Sequence, residues 1–148
     1  MVARLFQQFF GGLLQVAFGL VRALFQGFLK APRAALSPIQ IRAATPREVD
    51  GVHEVVLGRT PSTEQTHRYW AAERNGLVIG ALTAVADEGW ELRDLAVLPQ
   101  YDAIEIGSAL LRHAEAELEG PLWSATPQIP EVFRTWQDDG TGVLRWPG

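Results

Sequence analysis

The chain offers few residues of the types and spacings that enzymes use. It has no cysteine, which excludes disulfides, thiolate metal sites and cysteine nucleophiles together. Its three histidines, His53, His67 and His113, lack metal-ligand spacing, and we expect no metal site. The carboxylates Glu91 and Asp94 remain as candidates for acid–base chemistry. A strand end or an ion pair explains both without catalysis, so residue type alone assigns no catalytic residue.

These residues must be positioned by helices and strands, which the hydrophobic pattern predicts. Alternating apolar and polar residues predict strands, and spacings of three and four predict helices. Thr45, Pro46 and Glu48 are typical of a helix N-terminus with a capping box, and Asn75-Gly76 is typical of a hairpin turn. The predicted strands are 39–43, 67–74, 77–85, 90–98, 122–125 and 143–146, and the predicted helices are 45–57, 106–119 and 131–137.

Charge and aromatic residues divide the chain of 148 residues into two regions. Residues 1–38 contain four basic residues and no acidic one, so the net charge of −4 divides into +4 and −8. Six of the seven Phe lie within residues 1–28, whereas all five Trp lie at position 70 or later. We predict a helical segment at 1–30, a proline-containing linker at 31–38 and a domain at 39–148. The acidic balance of the domain gives no reason to expect nucleic-acid binding.

The first 30 residues predict a long amphipathic helix with most of its circumference apolar. A narrow polar stripe with basic residues runs along the other side. We expect the apolar side to dock against a membrane surface or a larger protein assembly. The docking residues are Phe6, Phe9, Phe10, Leu13, Leu14, Phe18, Val21, Leu24, Phe25 and Phe28.

Three other interpretations fit this helix less well. A secretory signal disagrees with the polar stripe and with the lack of a small-residue cleavage site. A transmembrane span disagrees with the glutamines and with Arg22, which fall where an uninterrupted apolar stretch is required. A helix that covers its own domain would have more apolar surface than about 110 residues can hide.

The region 39–148 resembles the GNAT superfamily of acetyl-CoA-dependent N-acetyltransferases. The resemblance is carried by the sequences of 91–101 and 107–111, which are similar to the family's central strand and following helix, and by the hairpin at 75–80. It implies an α/β (α+β) fold with a mixed central sheet flanked by helices. It also implies that, in an active enzyme, Glu91 or Asp94 would lie on the strand that often supplies a general base.

The same resemblance implies where acetyl-CoA would bind. The cofactor-binding residues, if any, would be Ala96, Val97, Gly107, Ser108 and Ala109. In the family a glycine-containing loop holds the pyrophosphate with backbone N–H groups at a helix N-terminus.

The sequence departs from this pyrophosphate loop at several positions. Asp102 and Glu105 occupy the positions of a cation or amide and of a glycine, and Gly107 alone matches. Two carboxylates beside a polyanion should weaken binding, and we expect no bound cofactor.

Three further departures concern the remainder of the family's site. The position of a tyrosine that protonates the departing thiolate is matched by Trp136. Residues 58–67 replace a second helix, and we expect the last strand to lack its usual partner.

These departures lead to our functional hypothesis: a degenerate GNAT-like domain, without catalysis, that acts as an accessory or interaction subunit. Residues 1–30 would hold it at the cytoplasmic side, on a membrane or in a complex. One alternative is an active acetyl-CoA-dependent N-acetyltransferase. Another is a sensor that binds a small ligand in the vestigial acyl-CoA cleft.

Overall fold

A computed structural model describes residues 37–148, of which Pro38–Gly148 form one compact unit. The predicted N-terminal amphipathic helix at 1–30, with its docking residues, lies outside the described residues, as does most of the linker at 31–38. These parts of the domain organisation stay predictions.

The described region alternates strands and helices in nearly the predicted order. Before the central helix lie β1 (Gln40–Ala44), α1 (Pro46–Leu57), β2 (His67–Arg74), β3 (Leu77–Ala86) and β4 (Trp90–Val97). They are followed by α2 (Ala103–Glu117), β5 (Leu122–Ser124), a 3-10 helix (Pro130–Phe133), β6 (Gln137–Asp138) and β7 (Leu144–Arg145).

The strands of the described region form a seven-stranded mixed sheet in the order β1-β2-β3-β4-β5-β7-β6. Strands β4 and β5 are parallel, and the other neighbouring pairs are antiparallel. The last strand, β7, pairs with β5 on one side and with β6 on the other. We expected the last strand to lack its usual partner, and the sequence did not predict β6, which pairs with it. Its two-residue partner β6 is too short to show an alternating pattern.

Helix α1 begins where the sequence predicts. The Thr45 hydroxyl accepts a hydrogen bond from the Glu48 amide, and the Glu48 carboxylate accepts one from the Thr45 amide, each at 3.4 Å. Glu48 also pairs with Arg42, which in turn donates to Glu73 on β2 at 2.8 Å. Val49 and Val52 pack against β2, β3 and β4, so α1 covers one face of the sheet.

Helix α2 covers the opposite face, together with the 3-10 helix. Its buried side chains Ile106, Leu110 and Leu111 pack against the centre of the sheet. The main core lies between these layers and consists of Trp70, Ala72, Ile79, Leu82, Ala84, Leu92, Leu95, Val97, Ile106, Leu110, Leu111, Ala114, Leu118, Leu122, Val132, Phe133 and Trp136.

A glycine on β3 allows α2 to approach the sheet closely. A Cβ atom added at Gly80 would lie 2.9 Å from Ile106 Cγ2 and 3.3 Å from both the Ala96 carbonyl oxygen and Leu110 Cδ1. Because the carbonyl oxygen belongs to β4, a side chain here cannot be accommodated by rotamer changes alone. The distance between helix and sheet thus depends on this glycine.

No helix within residues 37–148 has the length and apolar character needed to cross a membrane.

We predict that Gly80→Ala destabilises the domain by about 1–3 kcal/mol through overpacking, which lowers Tm by several degrees. Gly51→Ala on α1 is the matched control, since a Cβ there meets no atom within 4 Å. That control should be neutral or slightly stabilising, because alanine favours the helix. Thermal unfolding of both variants checks the prediction, and equal Tm values would contradict it.

Candidate functional site

The sheet opens between β4 and β5. These parallel strands pair at Trp90 with Leu122 and at Glu91 with Trp123, whereas β4 continues to Val97. Within the described part of the chain, residues 92–97 therefore have no strand partner on the β5 side. The chain then passes through residues 98–102 into α2, so the opening leads to that helix N-terminus. Such an opening at the carboxyl end of a strand is a common ligand site in α/β folds.

The N-terminus of α2 is capped by the chain's own carboxylate. Asp102 lies immediately before the helix, and its Oδ1 accepts hydrogen bonds from the amides of Ile104 and Glu105, each at 3.0 Å. The Asp102 carbonyl oxygen accepts a third bond from the amide of Ile106 at 3.0 Å. The helix therefore begins at Ala103, three residues before the predicted start.

This helix start does not fit a pyrophosphate group. An anion at a helix N-terminus is held by free backbone N–H groups, and here one carboxylate oxygen already accepts from two of them. Glu105 adds a second carboxyl group in the first turn. Residues 103–107, which the family resemblance places in a binding loop, lie within the helix. The sequence predicts charge repulsion between the two carboxylates and a pyrophosphate. In addition, the backbone amides of Ile104 and Glu105 already donate to Asp102.

The residues suggested for cofactor binding lie in two environments. Ala96 and Val97 are buried at the end of β4, with Ala96 in the cluster under α1 and Val97 in the main core. Gly107 is buried, and a Cβ there would lie 3.0 Å from Val132 Cγ2. Packing of α2 against the 3-10 helix therefore explains this glycine. Ser108 and Ala109 are partly exposed on α2.

The two catalytic candidates are in different positions on β4. Glu91 is opposite Val85 and lies 4.0 Å from Arg93 as an ion pair. Asp94 lies at an irregularity between β3 and β4, with a left-handed φ of 55°. Its side chain is 8% exposed and forms an ion pair with Arg59. The structure thus explains both carboxylates by ion pairs, the second of them buried.

Trp136 is a core residue that is fixed to α2. Its indole N–H donates to Glu115 at 2.9 Å, and its ring meets Phe133 edge to face at 5.0 Å. Trp70 on β2 makes a similar bond to Glu117 at 2.8 Å. That bond is the main reason that the pKa of Glu117 is lowered. Trp70 and Trp136 thus each donate a hydrogen bond to a carboxylate on α2.

Sequence reasoning missed a polar cluster on the α1 face of the sheet. His53 is fully buried and meets the Tyr69 ring edge to face at 6.0 Å. Burial lowers the pKa of His53, although the nearby Asp94 charge opposes this. Burial also raises the pKa of Tyr69, and Asp94 adds to that effect. No spacing rule could reveal this cluster, because its members come from α1, β2 and β4.

Among residues 37–148 no group of three or more His, Asp or Glu side chains is arranged to hold a metal ion.

Solved structures identify the fold class. A GNAT family acetyltransferase from Brucella melitensis in complex with acetyl-CoA matches with a TM-score of 0.57 and 16% identity, over 74% of this chain and 87% of that chain. An aminoglycoside 6'-acetyltransferase type Ii matches with a TM-score of 0.58 and 14% identity, over 72% and 94%. The ribosomal-protein-S18-alanine N-acetyltransferase from Escherichia coli matches with a TM-score of 0.51 and 19% identity, over 62% and 69%. The mixed sheet with its flanking helices is therefore a GNAT fold.

The sequence comparison agrees with the fold. Residues 65–135 match the family model of the acetyltransferase (GNAT) domain, which confirms the resemblance that the sequence motifs predict. Curated protein sequences give no match to the chain.

We predict that protonation of His53 makes the domain acid-sensitive. Because the pKa of His53 is lowered in the folded protein, the unfolded chain binds a proton that the folded chain does not as the pH falls through about 6.5. Stability is therefore lost between pH 7 and 5, with a slope of at most about 1.4 kcal/mol per pH unit for this one group.

His53→Gln should flatten this part of the stability curve, measured by chemical denaturation at pH 7, 6 and 5. His113→Gln, which changes a partly exposed histidine on α2, is the control and should keep the slope. An unchanged slope in His53→Gln would show that another group is responsible.

Proposed function

We propose that this GNAT domain does not catalyse acetyl transfer from acetyl-CoA and acts as an accessory or interaction subunit. The observation that carries the proposal is the Asp102 carboxylate, which accepts from two amides at the start of α2. A phosphate could take these donors only by displacing that carboxylate. The helix cap that would be lost is worth about 0.5–2 kcal/mol.

Charge supports the same conclusion. A displaced Asp102 carboxylate would stay near the phosphates, and Glu105 lies in the first turn of the same helix. Like charges at close range oppose binding most strongly where solvent is excluded, as it would be beneath a bound cofactor. The first turn of α2 contains no basic residue that could compensate.

The aromatic residue near the end of the domain also supports a non-catalytic role. The family resemblance places Trp136 where a tyrosine would protonate a thiolate. An indole N–H is a donor that does not serve as an acid at neutral pH. The Trp136 N–H is, in addition, bonded to Glu115.

An active N-acetyltransferase is the second candidate function. It is favoured by the acetyl-CoA complex of the Brucella melitensis protein, whose fold matches over 74% of this chain, and by the unpaired edge of β4 beyond Glu91. In this alternative the cofactor would rest against Ala96 and Val97 without the usual help from the helix N-terminus. Binding measurements separate the two candidates.

The site of action is proposed from the sequence pattern of residues 1–30. Their apolar side carries six of the chain's seven Phe, and their polar stripe is basic. A helix of this type lies in a membrane interface or in the groove of a protein assembly. We place the domain on the cytoplasmic side, held there by this segment.

The acetyl-CoA prediction is tested by isothermal titration of the full chain. We expect no binding in the micromolar range, because the phosphate donors are occupied. Asp102→Arg with Glu105→Gly should strengthen binding, since both carboxylates are removed and a cation is added. Asp138→Asn is the control, because the Asp138 carboxylate also accepts from two backbone amides, of Gly140 and Gly142, but in another loop. A wild-type Kd near 1 µM, about −8 kcal/mol, would favour the active enzyme.

The docking prediction is tested by changing Phe9, Phe10, Phe18 and Phe25 to Ser in the full chain. This removes apolar side chains from the docking face, so the protein should leave its membrane or complex fraction. Changing Gln7, Gln8, Gln15 and Gln26 to Ser is the matched control and should leave the distribution unchanged. Fractionation of native cells measures both, and retention of the Phe variant would contradict this docking mode.

A further inference from the structure

A strip of buried polar side chains crosses the α1 face of the sheet. The strand register places Tyr69 on β2 opposite Thr83 on β3, and Thr83 opposite Arg93 on β4. Asp94 follows at the irregularity, and His53 covers the strip from α1. Four of these residues are almost inaccessible: His53 is 0% exposed, Thr83 1%, Tyr69 4% and Asp94 6%. This strip is separate from the helix start at Asp102.

Asp94 requires a cation because a buried, unpaired carboxylate is costly. Its cation is Arg59, whose own side chain is 54% exposed. Arg59 belongs to the segment 58–66, which connects α1 to β2. A charge that comes from an exposed connecting segment can be withdrawn without unpacking the core.

The connecting segment 58–66 is attached to the strip at a second point. The Tyr69 hydroxyl donates to the Ser62 carbonyl oxygen at 2.6 Å. The segment also begins with Gly58 in a left-handed conformation, with φ 68°. Two polar contacts, one at Arg59 and one at Ser62, thus hold it over the strip.

Polar atoms beside this ion pair have no partner. Within residues 37–148, the two ring nitrogens of His53 and the hydroxyl oxygen of Thr83 have no hydrogen-bond partner. Each such atom destabilises the folded protein when it is left without a hydrogen bond. Both residues are fully buried, and His53 lies close to the Asp94 charge. Their unsatisfied hydrogen-bonding atoms are therefore suited to a polar ligand rather than to apolar packing.

We propose that Asp94 is a binding site for the guanidinium group of a ligand, and that Arg59 occupies this site until the ligand displaces it. The site already binds one guanidinium group, that of Arg59. A guanidinium group has five N–H donors, more than one carboxylate can accept. His53 and Thr83 supply the additional acceptors. Segment 58–66 therefore acts as a lid whose release accompanies binding. This inference goes beyond the proposed function and does not depend on it.

Agmatine, a small molecule with a guanidinium group, is the probe. Full-length Arg59→Ala should bind agmatine at least about tenfold more tightly than the wild type, because the competing internal group has been removed. Isothermal titration at constant ionic strength measures the difference. Asp94→Asn in the Arg59→Ala background should abolish the binding.

Arg42→Ala is the matched control. Arg42 is also a partly exposed arginine in ion pairs, but its partners Glu48 and Glu73 lie near the surface. This variant should bind agmatine no better than the wild type does. Equal affinities of the Arg59→Ala and Arg42→Ala variants would overturn the proposal.

A measurement on the wild type does not depend on how the variants fold. Saturating agmatine should speed amide hydrogen exchange in residues 58–66, because the displaced Arg59 releases its segment. Exchange in α2 should stay unchanged. Unaltered exchange in 58–66 at agmatine concentrations that saturate the wild type itself, as fixed by its own titration, would also overturn the proposal.

Discussion

The antiparallel pairing of β3 with β4 is the interaction on which the remainder of the domain depends. Both strands are buried on both faces, with Leu82 and Leu92 beneath α2 and with Ala81 and Ala96 beneath α1. Because both faces are packed, the register of the two strands is fixed, and it shifts only at the irregularity that contains Asp94. The position of each helix, the opening towards β5 and the buried ion pair all follow from this central ladder.

Local sequence determines most of the elements but not the charged contacts. The strands, the capping box at Thr45 and the hairpin at Asn75-Gly76 could be predicted because their signals span only a few residues. The cap at Asp102 had a signal too, since Glu105 follows three residues later, but alignment with a binding loop concealed it. The pairing of Arg59 with Asp94 joins residues 35 positions apart. No periodic pattern could predict that contact.

Two charged groups of the chain stand where external ligands could bind. Asp102 satisfies backbone donors at the start of α2, and Arg59 satisfies the buried carboxylate of Asp94. An internal group competes with a free ligand at a high effective concentration. Under both proposals, the affinity for a ligand would therefore be a difference between two similar interactions. Small changes in either internal contact should be strongly amplified in the affinity.

The hydrogen bond between Trp136 and Glu115 limits which substitutions the domain can accept at position 136. Replacing Trp136 by tyrosine would remove the indole donor from Glu115 and leave a gap beside Phe133 in the core. The smaller side chain would become acceptable only after substitutions at its neighbours. The order in which substitutions occur thus matters, and this epistasis makes a change to tyrosine at this position a multi-step path.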